Sequence, residues 1–242
     1  MSDIKLSVII PAYNEEKRIG PTLESVSRYL EKQNYSYEIM VVANNCTDRT
    51  DDVVREYQEK ISHLELIDLG PGIPGKGGAV REGLLKTKGQ YAVFMDADNS
   101  TRLVELDKFW PYFAQGYDIV FGSRDIKGAQ VEVSQSKLRE TFGKMGNLLI
   151  QFVLLPGIKD TQCGFKAFSR KAVQAIFLKQ KISGWGFDME VLALGKKLGF
   201  KMKEVPIAWY NAVGSKVSWT GYLESFRDLF VIRFNLWTGK YK

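Results

Sequence analysis

A single α/β domain with a mostly parallel mixed sheet flanked by helices is predicted by three features of the sequence. Short apolar runs of strand length alternate with segments of helical period through the first ~100 residues. Polar turns rich in Asn, Asp and Gly close several of those runs. The 242 residues are 45% apolar, ample for one packed core, with no internal repeat, low-complexity tract or linker.

The elements follow in order. Leu6 to Ile10 reads as a first strand stopped by Pro11. A helix is expected from Tyr13 to about Lys32, on the spacing of Ile19, Leu23, Val26 and Leu30. Tyr37 to Val42 is a second strand, closed by the turn Asn44 to Asp48 and followed by a helix from about Thr50 to Lys60. Leu64 to Asp68 is a third strand. Gly70 to Gly78 is a loop with five glycines, opening a helix from about Ala79 to Thr87. Tyr91 to Met95 is a fourth, buried strand. Such alternation describes a Rossmann-like nucleotide-binding half over about residues 1–100.

After Asp98 the pattern loosens. A helix is expected over about 103–113, and a strand over Asp118–Gly122. Residues 134–155 read as a helix, nearly apolar all round at Leu148 to Leu155, either buried in the core or lying in a membrane interface. A segment over 218–237 mixes Phe226, Phe230, Phe234 and Trp237 with Arg227 and Arg233, which suits a headgroup-level surface or an amphipathic cap helix. Residues 101–242 would form the second half of the same domain.

Composition removes several function classes. No run of 18 apolar residues occurs, so no membrane-spanning helix or anchor is expected. The two cysteines, Cys46 and Cys163, suggest neither a disulfide framework nor a zinc site, which fits a cytosolic chain. His63 is the only histidine, which argues against histidine-based catalysis. The net charge of +6 suits a phosphorylated substrate or an anionic membrane surface. The basic residues are dispersed and no nucleic-acid-binding pattern appears, so no nucleic acid is expected.

Chemistry concentrates where strands end. Asp96-Ala97-Asp98-Asn99 follows the fourth strand, and the carboxyl edge of an open α/β sheet is where ligands bind. Two carboxylates one residue apart suit a hard divalent cation, Mg²⁺ or Mn²⁺, shared with substrate phosphates; they equally suit a polar turn. The glycine loop ends in Gly75-Lys76-Gly77-Gly78, where helix N–H groups and Lys76 would favour an anion.

These strand ends, taken with the opening Val8 to Glu16, Gly122-Ser123-Arg124, the stretch Asp160 to Lys166, Trp185 to Glu190, Glu204-Val205-Pro206 and Gly214-Ser215-Lys216, resemble the family 2 glycosyltransferases. Within that family the motif order is similar to the dolichyl-phosphate β-glucosyltransferases and their relatives, the polyprenyl-phosphate mannosyltransferases. The resemblance implies a GT-A fold and an inverting, metal-dependent hexosyltransferase. Glucose or mannose would pass from UDP or GDP to a polyprenyl (dolichyl-type) phosphate, with the protein peripheral on the cytosolic face of a membrane.

Residue roles follow from the same resemblance. Asp98 would be the direct metal ligand, with Asp96 touching the cation through water or holding the ribose. Donor contacts would come from Pro11, Tyr13, Glu15, Asn44, Lys76 and Ala97, and from Asp160 and Gln162 facing the sugar. Arg124, Arg139 and Lys166 would grip the acceptor phosphate. Trp185 would stack on a sugar or pack in the core. Asp188 would orient groups, or act as base if the acceptor were a hydroxyl, and Glu190 would be structural. Relatives carry two aspartates where this chain has Ala43-Asn44, which leaves UDP and GDP both open. That departure also admits a non-catalytic sugar-nucleotide-binding module. Asn99 and Ser100 depart from the pattern after Asp-x-Asp and leave the third metal ligand open.

Overall fold

The computed structural model describes residues 4–73, 75–132, 146–210 and 219–242, without the side chains of residues 219 and 220. Seven strands form the main sheet: β1 (Leu6–Ala12), β2 (Tyr37–Ala43), β3 (Leu64–Asp68), β4 (Tyr91–Met95), β5 (Ile119–Ser123), β7 (Phe165–Ser169) and β8 (Met202–Pro206). Their order is β3-β2-β1-β4-β7-β5-β8, and β6 (Gln130–Glu132) pairs separately with β9 (Ala208–Tyr210). Only β7 runs antiparallel to its neighbours in the main sheet, so the sheet is mixed and mostly parallel as expected. Strand order reverses between β1 and β4, and the crevice above such a switch point is the default ligand site of an open α/β sheet.

Successive strand residues feed opposite faces, the two-residue period of a strand buried on both sides. Ile9, Met40, Val42, Phe94, Phe121 and Phe168 join one core cluster, while Val8, Ile10, Val41, Val93, Val120 and Phe165 join the other. Helices α1 (Ile19–Leu30) and α2 (Thr50–Gln58), a 3₁₀ turn (Leu103–Lys108) and α4 (Trp110–Ala114) cover the second cluster. Helices α3 (Gly75–Lys86), α5 (146–153), α6 (Arg170–Phe177), α7 (Phe187–Lys197) and α8 (Trp219–Trp237) cover the first.

Several boundaries differ from the expectation, each for a local reason. The strand expected to stop at Pro11 continues to Ala12 beside β2; the β4 ladder ends at Ile9, short of the proline that has no N–H to donate. The first helix begins at Ile19, not Tyr13, because Asn14 adopts φ 53° and its Oδ1 accepts from Thr47 N–H at 2.7 Å, tying the chain to the end of β2. The helix expected over 103–113 is split into the 3₁₀ turn and α4. Pro111 sits in the first turn of α4, where its ring and missing N–H exclude a continuous helix. The run at 148–155 is one-sided: Ile150, Leu154 and Leu155 are buried, but Leu148 is 68% and Phe152 88% exposed. Residues 134–145, Arg139 among them, and Gly214-Ser215-Lys216 lie outside the described residues.

Candidate active site

Strand β4 delivers its chain end into the crevice. Asn99 turns back with φ 56° and its N–H reaches the Asp96 carbonyl at 3.3 Å. Asp98 Oδ1 accepts from Ser100 N–H at 2.9 Å. Ala97 points into the core, and its carbonyl accepts from Thr22 Oγ1 at 2.7 Å. The two carboxylates therefore stand on a turn pinned from below. Burial first, then the Asp96 charge, lift the Asp98 carboxyl above the usual carboxylate range. Gly164 lies directly against Asp96: a Cβ there would fall 2.5 Å from the carboxylate carbon.

Lys76 answers this negative charge. Its Nζ meets Asp96 Oδ1 at 2.5 Å and lies 5.7 Å from the centre of the Trp185 ring. Burial works against the ammonium, but Asp96 and Asp188 outweigh it and hold its pKa above the ordinary lysine value. The expected glycine loop is in fact the first turn of α3, which starts at Gly75. Its glycines serve close approach to the segment before α7. A Cβ on Gly77 would lie 2.6 Å from Phe187 Cβ, and Gly78 N–H already donates to Ser183 O at 3.1 Å. That amide is taken by a carbonyl, whereas the loop reading expected N–H groups there to favour an anion.

The ends of β1 and β2 are cross-linked. Glu15 N–H donates to Thr50 Oγ1 at 2.7 Å, and its carboxylate holds Arg18 through Nε at 2.6 Å and Nη2 at 2.8 Å. Asn44 is buried; its Nδ2 donates to Gly75 O at 3.0 Å and its Oδ1 accepts from Asn45. Tyr13 is 53% exposed at the mouth, and Pro11 is buried beneath it.

The second half contributes two ion pairs, one wholly buried and one with a partly exposed arginine. Asp160 is fully buried; Arg124 donates to it from Nε at 2.7 Å, Nη2 at 2.9 Å and its backbone N–H at 3.0 Å. Burial opposes the Asp160 charge, yet Arg124 holds its carboxyl below the usual range. Gln162 N–H donates to Asp160 Oδ1 at 3.3 Å. Lys166 is also fully buried, with its ammonium on Asp188 Oδ1 and on Cys163 O. Asp188, lifted by burial against the pull of Lys166 and Lys76, faces the same crevice charges as Asp96. The Cys163 thiol is pushed up to about 12, chiefly by burial, and stays protonated at neutral pH. Trp185 is half-buried beside Lys76. Sequence reasoning set Glu190 aside as structural; it lies fully buried under this rim with three backbone and side-chain donors on its carboxylate. No local pattern announces it, since all its donors come from other segments.

Residues 7–177 match the family described as glycosyl transferase family 2. The dolichyl-phosphate beta-glucosyltransferase ALG5D of Trichomonas vaginalis is 36% identical over 97% of this chain and 76% of its own length. The protein named dolichyl-phosphate beta-glucosyltransferase in Homo sapiens is 31% identical over 98% of this chain and 78% of its own. The chain belongs to glycosyl transferase family 2. The expectation of a hexosyltransferase of this family holds. The glucosyl-3-phosphoglycerate synthase of Mycobacterium tuberculosis, in complex with Mn²⁺, UDP-glucose and phosphoglyceric acid, superposes with a TM-score of 0.72 over 96% of this chain and 79% of that one, at 18% identity. The fold is therefore GT-A-like, as expected.

Proposed function

We propose that this family 2 hexosyltransferase moves a hexose, glucose by the names of its relatives, from a uridine or guanosine diphosphate sugar to a polyprenyl-type lipid phosphate, with inversion. The observation that carries this reading is the carboxylate turn at the switch point, faced by Lys76 and set beside two ion pairs, in a chain related over nearly its whole length to dolichyl-phosphate beta-glucosyltransferases.

The donor set fits a hard divalent cation. Asp96 and Asp98 offer carboxylate oxygens, and Asn99 Oδ1 beside them is buried without a hydrogen-bond partner. Mg²⁺ or Mn²⁺ bound by one or two carboxylates would complete its sphere with substrate phosphates. Bound by Asp98 and Asp96, such a cation would neutralise the charge of the leaving diphosphate. The nucleoside would lie across the ends of β1 and β2, against Tyr13, Glu15 and Asn44, with Pro11 and Ala97 as floor. Lys76 would release Asp96 to the incoming donor and turn to its phosphates.

Asp160 and Gln162 would face the sugar. Asp160 aligns Arg124 through Nε and Nη2, so that Nη1 would serve an acceptor phosphate, and Arg139 would add a second cation. Lys166 contributes through Asp188 rather than by direct contact, because its ammonium is buried and taken. A lipid phosphate is ionised near neutral pH and needs no base. Asp188 Oδ1 is engaged by the buried Lys166 ammonium, which supports a pairing role over that of a base and so favours a phosphate over a hydroxyl acceptor.

Helix α8 would seat the enzyme on lipid. Tyr222, Phe226, Phe230 and Phe234 recur every four residues and are 42–53% exposed, while Leu229 and Ile232 hold the helix to the core. No described helix is long and apolar enough to cross a membrane. The test is incubation with Mn²⁺, labelled UDP-glucose or GDP-mannose and a short polyprenyl phosphate, followed by lipid extraction. Label in the lipid from one donor supports the proposal, and label from neither, beside an active control enzyme, overturns it.

A further inference from the structure

Glu190 lies one turn beyond the head of α7, fully buried, and its carboxylate hydrogen-bonds none of the residues given a role above. Its carboxylate gathers a segment. Lys181 N–H donates to it at 3.0 and 3.1 Å, Ile182 N–H at 2.8 Å, and the Tyr241 hydroxyl at 2.6 Å. These donors work against the burial that lifts the carboxyl above the ordinary glutamate value, and each bond a carboxylate accepts is among the stronger kind. Tyr241, downstream of α8, is itself only 3% exposed.

The gathered segment is the rim of the crevice. Gln180 Nε2 donates to Gly77 O at 2.9 Å and Ile182 O at 2.8 Å, and Ser183 O receives Gly78 N–H at 3.1 Å. The first turn of α3, which presents Lys76 to Asp96, is thus bonded to residues 180–183. Two residues later the same segment presents Trp185, beside Lys76. From the other side Asp228 of α8 presses on Gly186, where a Cβ would meet the Asp228 Cβ at 2.5 Å. The rim is therefore clamped between α3, α7, α8 and Tyr241.

We infer that Glu190, capped by Tyr241, is a positioning residue for the donor side of the site: it sets residues 180–186 so that Trp185 and Lys76 face the Asp96 carboxylate. The inference rests on the proposed donor site at that edge. It makes the chain after α8 a working part of the crevice, because removing one hydroxyl at Tyr241 would loosen a rim to which α3 is bonded.

The experiment compares E190Q and Y241F with the wild-type chain. Amide hydrogen exchange needs no substrate. Faster exchange in 180–187 and also in 75–79, with the β1–β4 strands unchanged, is expected for both variants, more strongly for E190Q. In the hexosyl-transfer assay KM for the nucleotide sugar should rise about tenfold in E190Q, the equivalent of one weakened charged hydrogen bond. KM for the lipid phosphate should hold. Faster exchange confined to 180–187, or equal losses in both KM values, would overturn the positioning role. If E190Q fails to fold, Y241F alone decides, since it leaves the carboxylate and its backbone donors in place. An inactive wild-type chain would count against the proposed function, while the exchange pattern would still judge the positioning role.

Discussion

Replacing Gly164 by Ala tests the carboxylate turn without touching a charged residue. The new Cβ would lie 2.5 Å from Asp96 Cγ and 2.7 Å from Oδ1, where carbon–carbon contacts settle near 3.5–4.0 Å. The obstructing atoms belong to a side chain, so the carboxylate swings aside by about 1 Å rather than the strand breaking. That movement opens the 2.5 Å pair with Lys76 and shifts the proposed metal ligand. A misplacement of about 1 Å at a reacting centre costs on the order of 10²-fold in rate, or about 2.7 kcal/mol of transition-state stabilisation. The stability cost is that of one off-rotamer side chain, about 0.5–1.5 kcal/mol. Initial rates with labelled UDP-glucose, Mn²⁺ retention by electron paramagnetic resonance and thermal unfolding read the three quantities. G164A and D96A should also fail to add, because both act on one carboxylate. A folded G164A enzyme within threefold of the wild-type rate, or a G164A/D96A double variant far worse than D96A, would refute the reasoning.

Three further outcomes follow. K166M leaves the buried Asp188 without its main partner and should lose about 3–5 kcal/mol in urea unfolding, while K166M/D188L recovers most of it. Asp160 has a folded pKa held below its unfolded value of about 3.9, so its stabilisation is complete above that pH and is lost as pH falls from about 4 through the folded pKa. R124A should therefore lower the urea midpoint at neutral pH and flatten its decline in acid; an unchanged acid slope would contradict the pairing. The triple variant F226S/F230S/F234S removes half-exposed rings worth about 1 kcal/mol each at a lipid surface, so co-sedimentation with anionic vesicles should fall about 10²-fold in a chain that still folds with a lowered melting temperature.

The sequence shows the first half of the fold well because strand length and helical period are local signals. β1 to β4 lie close to where their apolar runs place them, and the carboxylate turn lies at the predicted edge. Beyond Asp98 the signals become tertiary. β7 enters the sheet antiparallel between β4 and β5, and no periodicity in Phe165 to Ser169 reveals which strands flank it. The glycines at 75–78 show the limit most clearly. A glycine-rich helix start reads locally as an anion cradle, yet Gly77 is small because Phe187 stands against it, 110 residues onward by the numbering. Residue type was legible there; the partner that explains it was not.

The same distinction governs how the site should be dissected. The motif residues read from the sequence become members of pairs in the structure: Lys76 with Asp96, Arg124 with Asp160, Lys166 with Asp188, and Glu190 with Tyr241, which no motif named. Each partner comes from a different segment, and three of the four carboxylates in these pairs are almost wholly buried. Removing one member leaves the other desolvated and unanswered, a cost of several kcal/mol that has nothing to do with chemistry. D188N, the obvious separator of a hydroxyl from a phosphate acceptor, would therefore lose activity in either case, because Lys166 is orphaned. The informative comparison is D188N with K166M/D188N. If the second substitution restores folding and transfer, Asp188 served the pair and the acceptor supplies its own charge. If folding returns without transfer, Asp188 takes part in the reaction and the hydroxyl acceptor regains the stronger claim.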